Sequence, residues 1–180
     1  MLQSIVRIYA LKIRPRAQAE LDGSQPTLAA AIRAAAPALN GQQKRYSHQR
    51  RIKRAAIQHS LGILSHLEGP ISKCADFSSL FTLIKDELVD VTGIGDLYVY
   101  DTALRIGAKL GVFPEKVYLH AGTRIGVRNL GLDARRTALR MASLPRALRR
   151  LKPHEVEDVL CIFKDRFEAT VRGVRRSWCG

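Results

Sequence analysis

Between residues 80 and 110 two apolar runs repeat at helical spacing around a corner bracketed by glycines. Leu80, Phe81, Leu83, Ile84, Leu88 and Val89 share one helix face, and Ser78 is the expected N-cap of a helix from Leu80 to Val89. A second run, Leu97 to Leu110, closes at Gly111. Between the two stands Val91-Thr92-Gly93-Ile94-Gly95. Two glycines permit a tight reversal, through positive φ or close backbone approach. Ile94 is expected to turn inward and tie the helices together. The amides opening the second helix then face outward, where they can hold a phosphate without any side chain.

The rest of the chain reads as helical too, and an all-α fold is expected. Residues 2–20 form a basic amphipathic segment interrupted near Pro15, with Asp22-Gly23-Ser24 as a turn. Pro26 to Ala36 reads as a short Ala-rich helix, ended by Pro37, Asn40 and Gly41. Residues 47–67 are expected to form one helix, basic first and apolar later, stopped by Gly69 and Pro70. Gly122 and Gly126 weaken any helix between Pro114 and Leu130. Short helices are expected at Asp133 to Met141 and Pro145 to Leu151, and a longer one from Pro153 to about Val171. The expected division is an N-terminal basic region (1–77), a core (78–171) and a basic tail (172–180).

Charge points to the partner. Thirty Lys and Arg face sixteen Asp and Glu, for a net charge of +14. Self-repulsion on that scale favours a polyanionic ligand, and nucleic acid is the commonest. No stretch approaches the ~20 apolar residues of a membrane span. The first nineteen residues lack acids and carry Arg7, Lys12, Arg14 and Arg16, which suits either a presequence or an ordinary docked segment. Three cysteines, Cys74, Cys161 and Cys179, include no C-x-x-C pair. Neither a disulfide framework nor a metal or iron–sulfur site is expected, and the usage suits a reducing compartment. A cytoplasmic, nucleoid-associated monomer without cofactor is the expectation.

The region 78–170 resembles the helix-hairpin-helix DNA glycosylase superfamily, the endonuclease III-like group, whose hairpin reads G-h-G-x-x-T-A. Here Gly93-Ile94-Gly95 precedes Thr102-Ala103 with six intervening residues instead of two, about one extra helical turn. Leu119-His120-Ala121-Gly122-Thr123-Arg124, then Leu130-Gly131, matches the family's segment of catalytic Asp, Arg and Leu-Gly. The resemblance implies a helix-hairpin-helix glycosylase-like helical domain acting on DNA. The departures are specific: Asp101 stands where bifunctional members carry Lys, and Leu119 or His120 stands at the catalytic Asp. Strand scission through a Lys Schiff base is therefore not expected.

A monofunctional glycosylase leaving an abasic site is the leading expectation. Its substrate would be an unusual, damaged or hypermodified base, including one in invading phage DNA. Asp101 would stabilise an oxocarbenium-like state, His120 would donate a proton or orient water, and Tyr98, Tyr100 and Tyr118 would stack on the base. Thr92, Gly93, Ile94 and Gly95, with Arg50, Arg51, Arg54, Arg124, Arg128, Arg135 and Arg136, would hold the DNA backbone. Tyr46, His48 and a further cluster at Arg146, Arg149, Arg150 and Lys152 extend the basic surface. Each residue also has a plainer reading. Asp101 can pair with Arg105 four residues on, His120 can serve as a structural hydrogen-bonding group, and the tyrosines can belong to the core. Two other functions stay open: a non-enzymatic hairpin binder of DNA, and an RNA- or ribosome-associated factor.

Overall fold

The computed structural model describes residues 1–21, 24–39, 44–46 and 49–167. Asp22 and Gly23, Asn40 and Gly41, His48, and the expected tail 172–180 with Cys179 lie outside them. The structure is mostly helical, with one two-stranded sheet. Among the described residues no helix is long and apolar enough to cross a membrane.

Two compact units divide the chain, Ala17–Pro114 and Met1–Arg16 with Glu115–Gly180. This differs from the expected boundary near residue 77. The glycine corner and its two helices belong with the chain before them, not with the chain after.

The Ala17–Pro114 unit contains α3 (Leu28–Ala35), α4 (Arg54–Ser65), α5 (Glu68–Ser72), α6 (Phe77–Glu87) and α7 (Asp96–Leu110). The preceding α1 (Leu2–Lys12) and α2 (Arg14–Glu20) break near Pro15 as expected, and the unit boundary falls inside α2. Helix α3 is Ala-rich, so its small side chains let Ala31, Ile32 and Ala35 pack closely on α7, α4 and α5. Thr27 caps it by accepting from the Ala30 amide at 3.1 Å. Helix α6 starts earlier than Ser78 implied. Asp76 is the cap, accepting from the Ser79 amide at 2.8 Å, because its carboxylate accepts more strongly than a hydroxyl at a helix start. The long basic helix expected from residue 47 begins only at Arg54, after a bend at 49–53. Gly69 and Pro70 lie in the first turn of α5 instead of closing a helix, since Pro needs no amide partner there.

The other unit holds α1, β1 (Lys116–Tyr118), α8 (Ala121–Asn129), β2 (Ala138–Arg140) and α9 (Pro153–Ile162). Ile5, Tyr9, Val117, Leu119, Val127, Leu139, Leu148, Val156, Val159, Leu160 and Phe167 form its core. Strands β1 and β2 pair antiparallel, with Val117 opposite Leu139. The expected helix at 133–141 is thus partly strand, because alternate burial of Leu139 against exposed Arg140 suits a pleat. Short 3₁₀ turns at Met141–Ser143 and Leu148–Arg150 follow. Helix α9 stops at Ile162, well before Val171, and a 3₁₀ turn at Lys164–Arg166 succeeds it. Gly126 is required by packing: a Cβ there would run into the Leu160 carbonyl of α9. Three acids of α9 are held internally. Tyr9 donates to Asp158 at 2.8 Å, Arg14 pairs with Glu155 at 2.7 Å, and Glu157 meets His120.

Candidate nucleic-acid interface

In the Ala17–Pro114 unit the corner between α6 and α7 lies at the surface. Thr92, Gly93, Gly95 and Asp96 are exposed and Ile94 is half-buried, while Val91 beneath them is buried. Gly93 sits at φ 91°, a conformation that strains any residue with a Cβ. The Ile94 amide donates to the Val91 carbonyl at 3.1 Å, closing the turn. Gly95 is the N-cap of α7 and supplies no side chain, so the first amides of the helix have no side-chain acceptor.

A second helix start adjoins this corner. A Cβ on Gly93 would stand 3.9 Å from the Cβ of Ala56, in the first turn of α4. That helix has no side-chain cap and no acid in its first turn. Arg50, Arg51, Lys53 and Arg54 lead into it, all exposed. The corner therefore adjoins the positive end of α4 and the four exposed cations that lead into it. Asp96 works against this in part. Its exposed carboxylate occupies the positive end of α7 and lies 3.7 Å from Lys85.

The expected base-stacking tyrosines separate by burial. Tyr98 is core, not pocket: it is 1% exposed, and its hydroxyl donates to the Ala36 carbonyl at 2.7 Å and meets Ser60 at 2.8 Å. Burial pushes its phenol pKa up. Tyr100 is core as well, edge-on to Phe77 and Phe81 at 5.8 and 6.4 Å between centroids. They occupy two different buried sides of α7, about 200° apart around the helix: Tyr98 meets Ala36 and Ser60, Tyr100 meets Phe77 and Phe81. Tyr118, in the other unit, is half-buried on the β ribbon with Lys116 Nζ 5.3 Å from its ring centre.

Asp101 is held by its neighbours. Buried Gln49 donates to its Oδ2, and Arg105 lies 3.7 Å from the same oxygen. Arg105 also stacks 4.3 Å over the ring of Tyr46. The i,i+4 pair was foreseeable; Gln49 was not, because 52 positions separate it from Asp101.

His120 opens α8 in the other unit. Its amide donates to the Thr123 hydroxyl at 2.9 Å, the same hydroxyl donates to the His120 carbonyl at 2.9 Å, and its ring meets the buried Glu157. His120 makes these contacts within its own unit, and Asp101 and His120 belong to different units.

Of the expected phosphate-binding arginines, Arg128, Arg135 and Arg136 are exposed. Arg136 is shared with Asp133 at 3.3 Å, and the Arg135 amide and the Arg136 guanidinium hold the Asp133 carboxyl below its usual range. Arg124 is corrected. Its guanidinium donates to the carbonyls of Ala134 and Arg136 at 2.6 and 2.8 Å, so it fastens the turn before β2 instead of reaching outward. A guanidinium near free carbonyls satisfies them before it meets solvent anions.

The chain matches no protein-family model, no curated protein and no solved structure.

Proposed function

We propose that this chain binds the phosphate backbone of nucleic acid, duplex DNA foremost, through the Gly93–Gly95 corner and the basic entry to α4. One observation carries the reading. The exposed corner packs beside an uncapped helix start that carries Arg50, Arg51, Lys53 and Arg54 and no acid. Main-chain amides fix the register of a phosphate there, and guanidinium groups add charge and bidentate contacts. The test is fluorescence anisotropy with duplex DNA, structured RNA and single strands across a salt series. Replacing Arg50, Arg51 and Arg54 together by Gln removes three phosphate contacts. The slope of log K against log salt then falls by roughly 2.7 for duplex DNA. An unchanged slope removes the proposal, and a preference for structured RNA at matched salt moves the partner to RNA.

Base excision is the second reading, on the helix-hairpin-helix glycosylase resemblance of the sequence. A separate observation favours it: Asp101 is a mostly buried carboxylate oriented by Gln49 and Arg105. A fixed negative charge of that kind suits an oxocarbenium-like transition state. It requires that duplex DNA bearing damaged or hypermodified bases yield abasic sites, and that Asp101→Asn stop this while binding persists.

A further inference from the structure

Three donor side chains of different chemistry meet inside the Met1–Arg16 and Glu115–Gly180 unit. They are the imidazole of His120, the carboxylate of Glu157 and the thiol of Cys161. The donor atoms all lie within 4.8 Å of one another. We propose that they bind one divalent transition-metal ion of the zinc class, clasping α8 to α9.

The placement follows from the helices. Glu157 and Cys161 are four residues apart on α9, so they project from the same face one turn apart. His120 faces them from the start of α8, which packs closely on α9. Gly126 lets the two helices approach, and Gly122 leaves room for the sulfur: a Cβ at Gly122 would stand 2.6 Å from Cys161 Sγ. Two glycines one turn apart weaken α8 yet let it lie close against α9, with Gly122 beside Cys161 and His120.

The donor set fits a zinc-class ion. Imidazole nitrogen, thiolate sulfur and carboxylate oxygen are its usual ligands, at ~2.0–2.3 Å in a tetrahedron. Donors around such an ion stand roughly 3–4 Å apart, and those here lie within 4.8 Å of one another. Hard cations such as magnesium prefer all-oxygen sets, which this is not. Three protein ligands leave one tetrahedral position for water. Binding releases the thiol proton of Cys161, so metal affinity falls as pH falls.

The test uses the full chain, reduced and freed of metal, titrated with Co²⁺ and then Zn²⁺. Expected is one equivalent of Co²⁺, a sulfur-to-cobalt charge-transfer band with tetrahedral visible absorption, and displacement by Zn²⁺. Cys161→Ser should abolish the band and weaken Zn²⁺ binding on the order of 100-fold, at least the effect typical of lost supporting groups around a metal. Replacing Cys74 and Cys179 together by Ser should leave both unchanged. A wild-type chain that binds cobalt without the thiolate band overturns the proposal. So does a band that survives Cys161→Ser, or no binding at all, which leaves a plain His120–Glu157 ion pair. The wild-type spectrum decides even where a variant fails to fold.

Discussion

His154 shows how burial sets the behaviour of one side chain. It is 7% exposed on α9, and desolvation lowers its pKa, with Glu155 opposing and Lys152 assisting. The folded state therefore holds the ring neutral at pH values where the unfolded chain, with an ordinary pKa of ~6.5, already binds a proton. Stability must rise with pH between the lowered folded pKa and ~6.5, and flatten above. Urea unfolding of wild type and His154→Gln at pH 5.5 and 7.5 should show the wild type losing more stability on acidification than the variant. Equal losses would mean the native ring is protonated. Residue identity alone did not reveal such environments. Tyr98, Tyr100 and Tyr118 look alike in sequence, but two are buried on different sides of α7 and one is half-buried on the ribbon. Likewise Arg124 resembles its neighbours until the carbonyls it satisfies are in view.

Helix starts and glycines carry most of what was legible at the level of elements. The second corner helix, its closure at Gly111 with φ 73°, and the turn at 92–95 all lie where periodicity and glycine placed them. The misplaced parts depend on distant partners. The sequence of 133–141 suggests a short helix, yet part of it is strand because Leu139 lines up opposite Val117 across the ribbon. Gly122 and Gly126 weaken a helix by propensity, yet they lie inside α8, where a Cβ would meet Cys161 and Leu160 of α9. Two alanine substitutions separate these roles. Gly126→Ala should destabilise by roughly 1–3 kcal/mol through overpacking against Leu160. Gly62→Ala, at an exposed position of α4 with open space around it, should stabilise by about 0.5–1 kcal/mol. Thermal unfolding moving both proteins the same way would refute the packing role. Asp96 offers a test of the corner itself. If the start of α7 holds a phosphate, Asp96→Asn removes a competing carboxylate and duplex DNA binding should tighten several-fold at low salt. Unchanged or weaker binding would place the phosphate elsewhere.

The charge of the whole molecule is unevenly held. The excess of base is divided unequally between the compact units. The Ala17–Pro114 unit carries 11 basic and 9 acidic residues, the other 19 and 7. In the second unit Glu155, Glu157 and Asp158 are taken up internally, which leaves its surface more positive still. On the β ribbon Lys116 stands directly opposite Arg140, and both are exposed beside Tyr118. Like charges facing across a ribbon destabilise it by about 0.2–1 kcal/mol, a cost that a bound polyanion relieves. Replacing both by Gln should therefore move two observables in opposite directions. Thermal stability without nucleic acid rises slightly at low salt. Affinity for duplex DNA falls, and the salt slope drops by about 1.8 if both side chains meet phosphates. A folding defect would lower stability and affinity together, and a purely structural pair would leave the slope unmoved, so the combination separates a ribbon that carries nucleic acid from one that merely tolerates its charge.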